Sequence, residues 1–300
     1  MFLKLEKKYA KLSNGETMAY IEKGQGDKVI LLIHGNFSSC YHYEPLYKIL
    51  PEDYRVVAMD LRGYGDSSYQ TPVETIHDFA DDVVLFMKEL GIEKAVVTGW
   101  SLGGCVSMSL AARYPAMVEK LVLIGSGSAK GYPVFKKSAT YENLVGSIYD
   151  TKEELATDPV TVVPMVMCQK NKDAKMMENI WNLTIYTSES KKRPTEEESE
   201  VYIAETLKQV NLVDADWALM NFNISNTTSF YSAGENIAKN IVCPVLAING
   251  KQDITVPEVM TSENREAING IVQKYYDDCG HSVLNDQPQQ LLKDMLDFIG

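Results

Sequence analysis

The chain is poor in the residues from which metal centres and disulfide frameworks are built. Its five cysteines, Cys40, Cys105, Cys168, Cys243 and Cys279, are scattered over 300 residues, odd in number and without a CxxC pair. That pattern argues against both a disulfide framework and a zinc site, and it fits a reducing cytosol. No metal and no cofactor are expected. Long apolar runs are missing too. The longest, such as Val29–Ile33 and the apolar part of Lys120–Ile124, fall far short of the roughly 20 residues of a membrane span. The stretch Met1–Lys8 has neither an apolar block nor a small-residue cleavage site, so no secretion signal is expected. A soluble, cytoplasmic chain with no membrane partner follows.

Positive charge is scarce as well. Twenty-nine Lys and Arg face 41 Asp and Glu, a formal net charge of −12. Such an excess repels phosphate backbones and anionic lipid. The pairs Lys136-Lys137 and Lys191-Lys192-Arg193 are isolated, the second running into an acidic stretch, and read as solvated surface. Nucleic acid is not an expected partner. A small-molecule substrate is, with the chain a monomer or homodimer.

What is present is ordinary globular material, 45% hydrophobic, arranged as alternating buried strands and amphipathic helices. Asn14-Gly15 reads as a tight turn between strands Tyr9–Leu12 and Thr17–Ile21. Lys28–Ile33, Arg55–Met59, Ala95–Thr98, Leu121–Ile124, Val245–Ile248 and Ile271–Tyr276 follow as further strands. Several are continuous apolar runs rich in branched residues, as strands covered on both faces require. Between them Thr75 and Asp78 predict a capped helix carrying Ile76, Phe79, Ala80, Val83, Val84, Met87 and Leu90 on one side and ending at Gly91. The alternation implies an α/β fold with a mostly parallel sheet and helices on both faces. It fails from 126 to 235. That stretch reads as a helical cap inserted after strand six, and 1–125 with 236–300 as the core.

One turn carries chemistry. Gly99-Trp100-Ser101-Leu102-Gly103-Gly104 joins a predicted strand to a predicted helix, Leu102–Tyr114, closed by Pro115. So sharp a turn strains the backbone of its central residue, and the flanking glycines remove side chains that would collide. Ser101 is thereby set at a helix N-terminus, where free amides favour developing negative charge. A serine hydroxyl needs a base, and the chain has four histidines. His77 falls inside a helix, His42 in a Tyr-rich segment, and His34 directly after a buried strand. His281, in Gly280-His281-Ser282, sits on a loop at a strand's carboxyl end, where the ligands of such sheets gather. It is the candidate base. Asp253, after the strand Val245–Ile248, is the candidate acid to orient it. The rival loop, Gly125-Ser126-Gly127-Ser128, holds no carboxylate.

An acyl-transfer oxyanion needs two fixed donors. One is expected from the Leu102 amide, the other from Asn36 or its neighbour Phe37 in His34-Gly35-Asn36-Phe37, with His34 orienting that loop. Phe37, Trp100, Trp181, Tyr186 and Trp217, with Met220 and Phe222, are candidates to wall an apolar acyl pocket. Gly63-Tyr64-Gly65 lacks the third glycine of a dinucleotide fingerprint, and Gly24-Gln25-Gly26 leads into a strand rather than a helix.

The set His34-Gly35-Asn36, Asp60–Ser67, Gly99–Gly104, Asp253 with Val256-Pro257, and Gly280-His281-Ser282 resembles the α/β-hydrolase superfamily. It is most similar to the lid-bearing branch of esterases, lactonases and cofactor-free perhydrolases. The resemblance implies an eight-stranded sheet with one antiparallel strand near its start, a helical lid between strands six and seven, and the chain order Ser, Asp, His for the triad. It gives Arg62 and Asp66 a bracing role. Serine at position 101 departs from the aspartate of dehalogenases and typical epoxide hydrolases. His34-Gly35-Asn36-Phe37 departs from the HGGPG of proline iminopeptidases. The expected reaction is hydrolysis of a small or medium carboxylic ester, thioester or lactone through an acyl-serine. Carbon–carbon hydrolysis of a diketone with the same triad, and a non-catalytic ligand-binding receptor, are the alternatives.

Overall fold

The computed structural model describes residues 2–186 and 192–300; Met1 and Lys191, both part of the sequence reading, lie outside the described residues. Eight strands form one sheet: β1 (Lys8–Lys11), β2 (Thr17–Lys23), β3 (Lys28–Ile33), β4 (Tyr54–Met59), β5 (Ala95–Trp100), β6 (Val118–Ile124), β7 (Val245–Gly250) and β8 (Val272–Tyr276), in the order β1-β2-β4-β3-β5-β6-β7-β8. Strand β2 runs antiparallel to both of its neighbours, and the strands from β4 to β8 pair in parallel. Predicted and observed strands agree in number and place. The ends differ by at most three residues, most at the start of β6, which includes exposed Glu119, while β3 matches at both ends.

The sheet is covered on both faces, and the alternation of side chains along each strand decides which face a residue joins. Leu31, Ile33, Val57, Met59, Val97, Leu121 and Leu123 pack into one cluster. Ile30, Leu32, Val56, Ala58, Val96, Val122, Ile124, Leu246 and Ile248 pack into the other. Each such side chain contributes about 1.5–3 kcal/mol when fully buried. A strand slipped by one residue would exchange the two sets, so both covers fix the register.

The covering helices follow in chain order: α1 (Glu44–Tyr47), α2 (Ile76–Glu89) and α3 (Leu102–Arg113) before the insertion. Then come α4 (Lys152–Ala156), α5 (Val162–Asn171), α6 (Ala174–Thr184), α7 (Glu196–Thr206) and α8 (Leu212–Asn221) within it. The last are α9 (Glu258–Ala267), α10 (Val283–Asp286) and α11 (Pro288–Ile299). Helix α2 opens with the predicted capping box, Thr75 accepting from the Asp78 amide and Asp78 from that of Thr75. Past its end Gly91 takes a left-handed turn. Helices α2 and α3 contribute to the first cluster. Helices α1 and α11 join the second, which also takes in Trp181, Ile203 and Leu207 from the insertion. Among the described residues no sheet strand lies between Ile124 and Val245, and no helix is long and apolar enough to cross a membrane.

An ionic knot, buried except at Asp66, ties the insertion to the core. Lys7 Nζ stands 2.8 Å from Asp60, 2.8 Å from Asp66 and 2.6 Å from Glu205 of α7. The three carboxylates are grouped closely enough to hold a metal ion, but the lysine ammonium already fills the space among them. Arg62 braces elsewhere, with a two-pronged pair to Asp82 of α2 at 2.7 and 2.8 Å. Both residues therefore brace, Asp66 through Lys7 and Lys208.

Candidate active site

Strand β5 ends at Trp100 and α3 begins at Leu102, so Ser101 alone makes the turn. Its backbone lies at φ 58°, ψ −122°, a strained state for a residue with a β-carbon. Close packing makes this turn possible. A β-carbon on Gly103 would meet the Ile33 carbonyl oxygen at 2.1 Å, and one on Gly99 the Gly103 carbonyl oxygen at 2.2 Å. The elbow is thus pressed against β3 and against its own helix, with room for glycine only.

His281 and Asp253 meet across 28 positions of sequence. His281 Nδ1 lies 2.8 Å from Asp253 Oδ2, and both side chains are almost wholly buried. An ionised carboxylate only accepts, so Nδ1–H donates and Nε2 is left as the ring's acceptor. Asp253 Oδ1 accepts from the Thr255 and Val256 amides, each at 2.8 Å. These bonds make a local turn ahead of α9 whose cap is Pro257, not Asp253. His281 is held from the other side, its carbonyl accepting from Trp100 Nε1 at 3.1 Å.

Gly125 joins the two halves. The Ser101 amide donates to Ile124, the residue before it, at 3.0 Å. A β-carbon on Gly125 would stand 3.3 Å from His281 Nδ1 and 3.5 Å from Asp253 Oδ2. The Ser101 backbone, the His281 imidazole and the Asp253 carboxylate thus all lie close to the Ile124-Gly125 step at the end of β6. Among the described residues neither Ser101 Oγ nor His281 Nε2 makes a hydrogen bond. Such contacts commonly tighten only when substrate is bound.

The loop after β3 closes over the serine. A β-carbon on Gly35 would lie 2.7 Å from that of Ser101, which brings the next residue, Asn36, beside the elbow. His34 is buried and bonded at both nitrogens: Nε2 accepts from the Leu61 amide at 2.9 Å, so Nδ1–H donates to the Gly35 carbonyl at 2.7 Å. Burial lowers its pKa to about 4, which keeps the ring neutral. The Phe37 amide is taken, donating to Gln209 Oε1 at 3.1 Å. No acceptor meets the Asn36 or Leu102 amides among the described residues. Of the two donors left open by the sequence, Asn36 is the one that is free.

Side chains of the insertion wire this loop from above. Asn36 Oδ1 accepts from Tyr64 Oη at 2.9 Å and Gln209 Nε2 at 2.8 Å, while its Nδ2 donates to Asp216 Oδ1 at 2.8 Å. Gln209 and Asp216 were not among the residues the sequence singled out. One signal was there: Leu212, Ala215 and Leu219 mark the buried side of α8, and Asp216 falls on that side by helical spacing.

The predicted pocket residues separate into groups. Trp100, Trp181 and Tyr186 belong to one aromatic cluster, with ring centroids 6.3 Å and 5.5 Å apart in sequence order. Half-buried Phe37 packs against it, and Trp100 stands 5.6 Å from His281. His42 is stacked inside the cluster, 5.0 Å from Trp181 and 4.8 Å from Tyr202. Trp217 and Met220 pack in a separate cluster with Tyr149 and Leu155. Phe222 packs in the core against His77.

Comparison with known proteins agrees with this architecture. Residues 28–288 match the family model described as alpha/beta hydrolase fold. A human serine hydrolase, BPHL, is 35% identical over 136 residues, 44% of this chain and 46% of its own length. A cis-3-alkyl-4-alkyloxetan-2-one decarboxylase of Shewanella oneidensis is 32% identical over 38% of this chain and 37% of its own. Each match spans less than half of the relative. Among solved structures, an esterase from Exiguobacterium antarcticum superposes with a TM-score of 0.73 at 17% identity, covering 98% of this chain and 99% of its own. An enol-lactonase from Burkholderia xenovorans gives 0.69 at 20%, covering 97% and 99%.

Proposed function

The chain belongs to the α/β-hydrolase fold family, and from that premise we propose that it is a serine hydrolase of small or medium carboxylic esters, thioesters or lactones. What supports this reading is the buried His281–Asp253 pair beside Gly125, the residue after the Ile124 carbonyl that the Ser101 amide reaches.

In this reading Ser101 Oγ attacks the substrate carbonyl while His281 Nε2 takes its proton. Asp253 holds the imidazole in the Nδ1–H tautomer and steadies the imidazolium. The tetrahedral oxygen receives the amides of Leu102 and Asn36, each worth about 10²–10³ in turnover. His281 then protonates the leaving group and activates the water that releases the acyl-serine. Residues 126–235 act as the cap, and Phe37, Trp100, Trp181 and Tyr186 supply the apolar wall of the acyl site. Trp217, in a different cluster, contributes from the cap.

Diisopropyl fluorophosphate should label Ser101 and abolish turnover of p-nitrophenyl acetate. Label elsewhere, or turnover surviving Ser101→Ala, defeats the reading. The same pair of proteins assayed on a diketone would identify carbon–carbon hydrolysis, and the absence of any p-nitrophenol burst would favour a binding role.

A further inference from the structure

Asp216 of α8 carries a carboxylate larger in charge than its visible task requires. Its Oδ1 accepts from Asn36 Nδ2 at 2.8 Å, and among the described residues no donor meets Oδ2. A neutral acceptor would hold Asn36 equally well. Neither a lysine nor an arginine contributes to its electrostatics; burial raises its pKa to about 7, opposed only by the Asn36 bond. Yet Asp216 is not sealed. Part of its surface remains open to solvent-sized molecules, as do parts of Ser101, Asn36, Phe37 and Tyr132. A carboxyl enclosed enough for desolvation to govern it, but still touchable, borders space that a small molecule can enter.

The neighbours locate that space. On one side lie Asn36 and Tyr64, the oxyanion loop and its brace. On the other lies Tyr132, whose hydroxyl feels both Asp216 and Asp253 and donates to the Thr255 carbonyl at 2.8 Å. Asp216 is therefore bonded to the Asn36 loop and faces Tyr132, which is itself bonded to the Asp253 loop. No lysine or arginine offsets the Asp216 carboxyl, in a chain that is itself at −12. A buried carboxylate without a counter-ion is costly, and a bound cation relieves the cost while supplying the missing donor.

We propose that Asp216 is a specificity-determining residue whose unpaired oxygen receives a protonated amine on the substrate, so that this hydrolase takes cationic esters or lactones in preference to neutral ones. The inference rests on the hydrolase reading above and names the substrate class of that same site.

Two isosteric pairs test it, one on each side of the ester bond: benzyl 3-aminopropanoate against benzyl butanoate, and 2-(dimethylamino)ethyl butanoate against 3-methylbutyl butanoate. In the wild-type chain kcat/KM should favour the ammonium member of at least one pair by about tenfold or more, the scale of one charge-assisted bond. Asp216→Asn keeps the shape and an acceptor for Asn36; it should bring the ratio to within about threefold of unity, the ammonium member losing more than its neutral partner. A wild-type enzyme indifferent to charge in both pairs overturns the proposal. So does a variant that keeps the preference, or one in which both members fall together, which would leave Asp216 only a positioning residue for Asn36.

Calorimetric titration of Ser101→Ala and Ser101→Ala/Asp216→Asn with the same four esters reads binding without turnover. Tighter binding of an ammonium member that disappears in the double variant upholds the assignment; equal binding overturns it. Turnover surviving in Ser101→Ala would instead count against the serine mechanism, whatever the titration shows.

Discussion

Replacing Asp253 by asparagine should disable the enzyme without unfolding it, and the structure says why. The two carboxylate oxygens have unequal partners. Oδ1 accepts two backbone amides, from Thr255 and Val256, both at 2.8 Å, and Oδ2 accepts from His281. In Asp253→Asn the amide oxygen must stay at the Oδ1 place, since a flip would set an NH₂ group against two N–H donors and forfeit two bonds of about 1 kcal/mol each. The side-chain NH₂ then faces His281 Nδ1, which becomes an acceptor, and the ring proton moves to Nε2. In the proposed mechanism that nitrogen is the base. The wrong tautomer in a serine triad costs about 10⁴ in kcat, which corresponds to about 5.5 kcal/mol of barrier. Steady-state hydrolysis of p-nitrophenyl acetate should show the loss in kcat with KM nearly unchanged, and thermal melts should stay within a few degrees of the parent. A fall of less than tenfold in a folded variant, or one confined to KM, would refute the reasoning.

Gly35→Ala should lower kcat about 10²-fold, because the added carbon 2.7 Å from the Ser101 β-carbon must displace Ser101 or the loop after β3, the proposed nucleophile and oxyanion loop; unchanged turnover would show that the contact relaxes freely. Lys7→Met should cost about 3–5 kcal/mol in urea unfolding, since it leaves buried Asp60 without a cation and Asp66 and Glu205 with Lys208 alone. A loss below about 1 kcal/mol would mean that the knot does not hold cap to core. The Asp216 carboxyl, raised to about 7 by burial, binds a proton in the folded chain that the unfolded chain releases near pH 4. Its contribution to stability is therefore full below pH 4 and lost as pH rises through 7. The groups facing it are Asn36, Tyr64 and Tyr132, with Asp253 beyond Tyr132. Asp216→Asn should gain on the parent by about 2–4 kcal/mol at pH 8 relative to pH 4; parallel stability curves would contradict the assigned burial.

The elements that could be read in advance are those specified by neighbours in sequence. The capping box at Thr75 and the period-two sorting of Leu31 and Leu32 to opposite faces depend on a few adjacent residues and a fixed backbone repeat. Ser101 was legible for the same reason, since a strand, a glycine-flanked turn and a helix are contiguous there. His281 and Asp253 were identified from position after strands, and the fold brings their side chains together.

Local pattern carries little about the insertion. Trp100, Trp181 and Trp217 looked alike as apolar aromatic residues, yet the first two share a cluster beside His281 and the third packs elsewhere. Gln209 and Asp216 belong to no motif, because their partners, Phe37 and Asn36, lie more than 170 positions away. The choice of Asn36 over Phe37 as the free amide turned on one such contact.

By itself the sequence determined the order and type of the elements, both faces of the sheet and the elbow, because each follows from short-range sterics and from the repeat of apolar residues along a strand or helix. Only the tertiary structure decided which amides stay open beside Ser101 and which aromatic rings meet. It also set the Asp216 carboxyl against Asn36 with no lysine or arginine acting on it. Those outcomes depend on where distant segments come to rest against one another, and no local repeat encodes that distance.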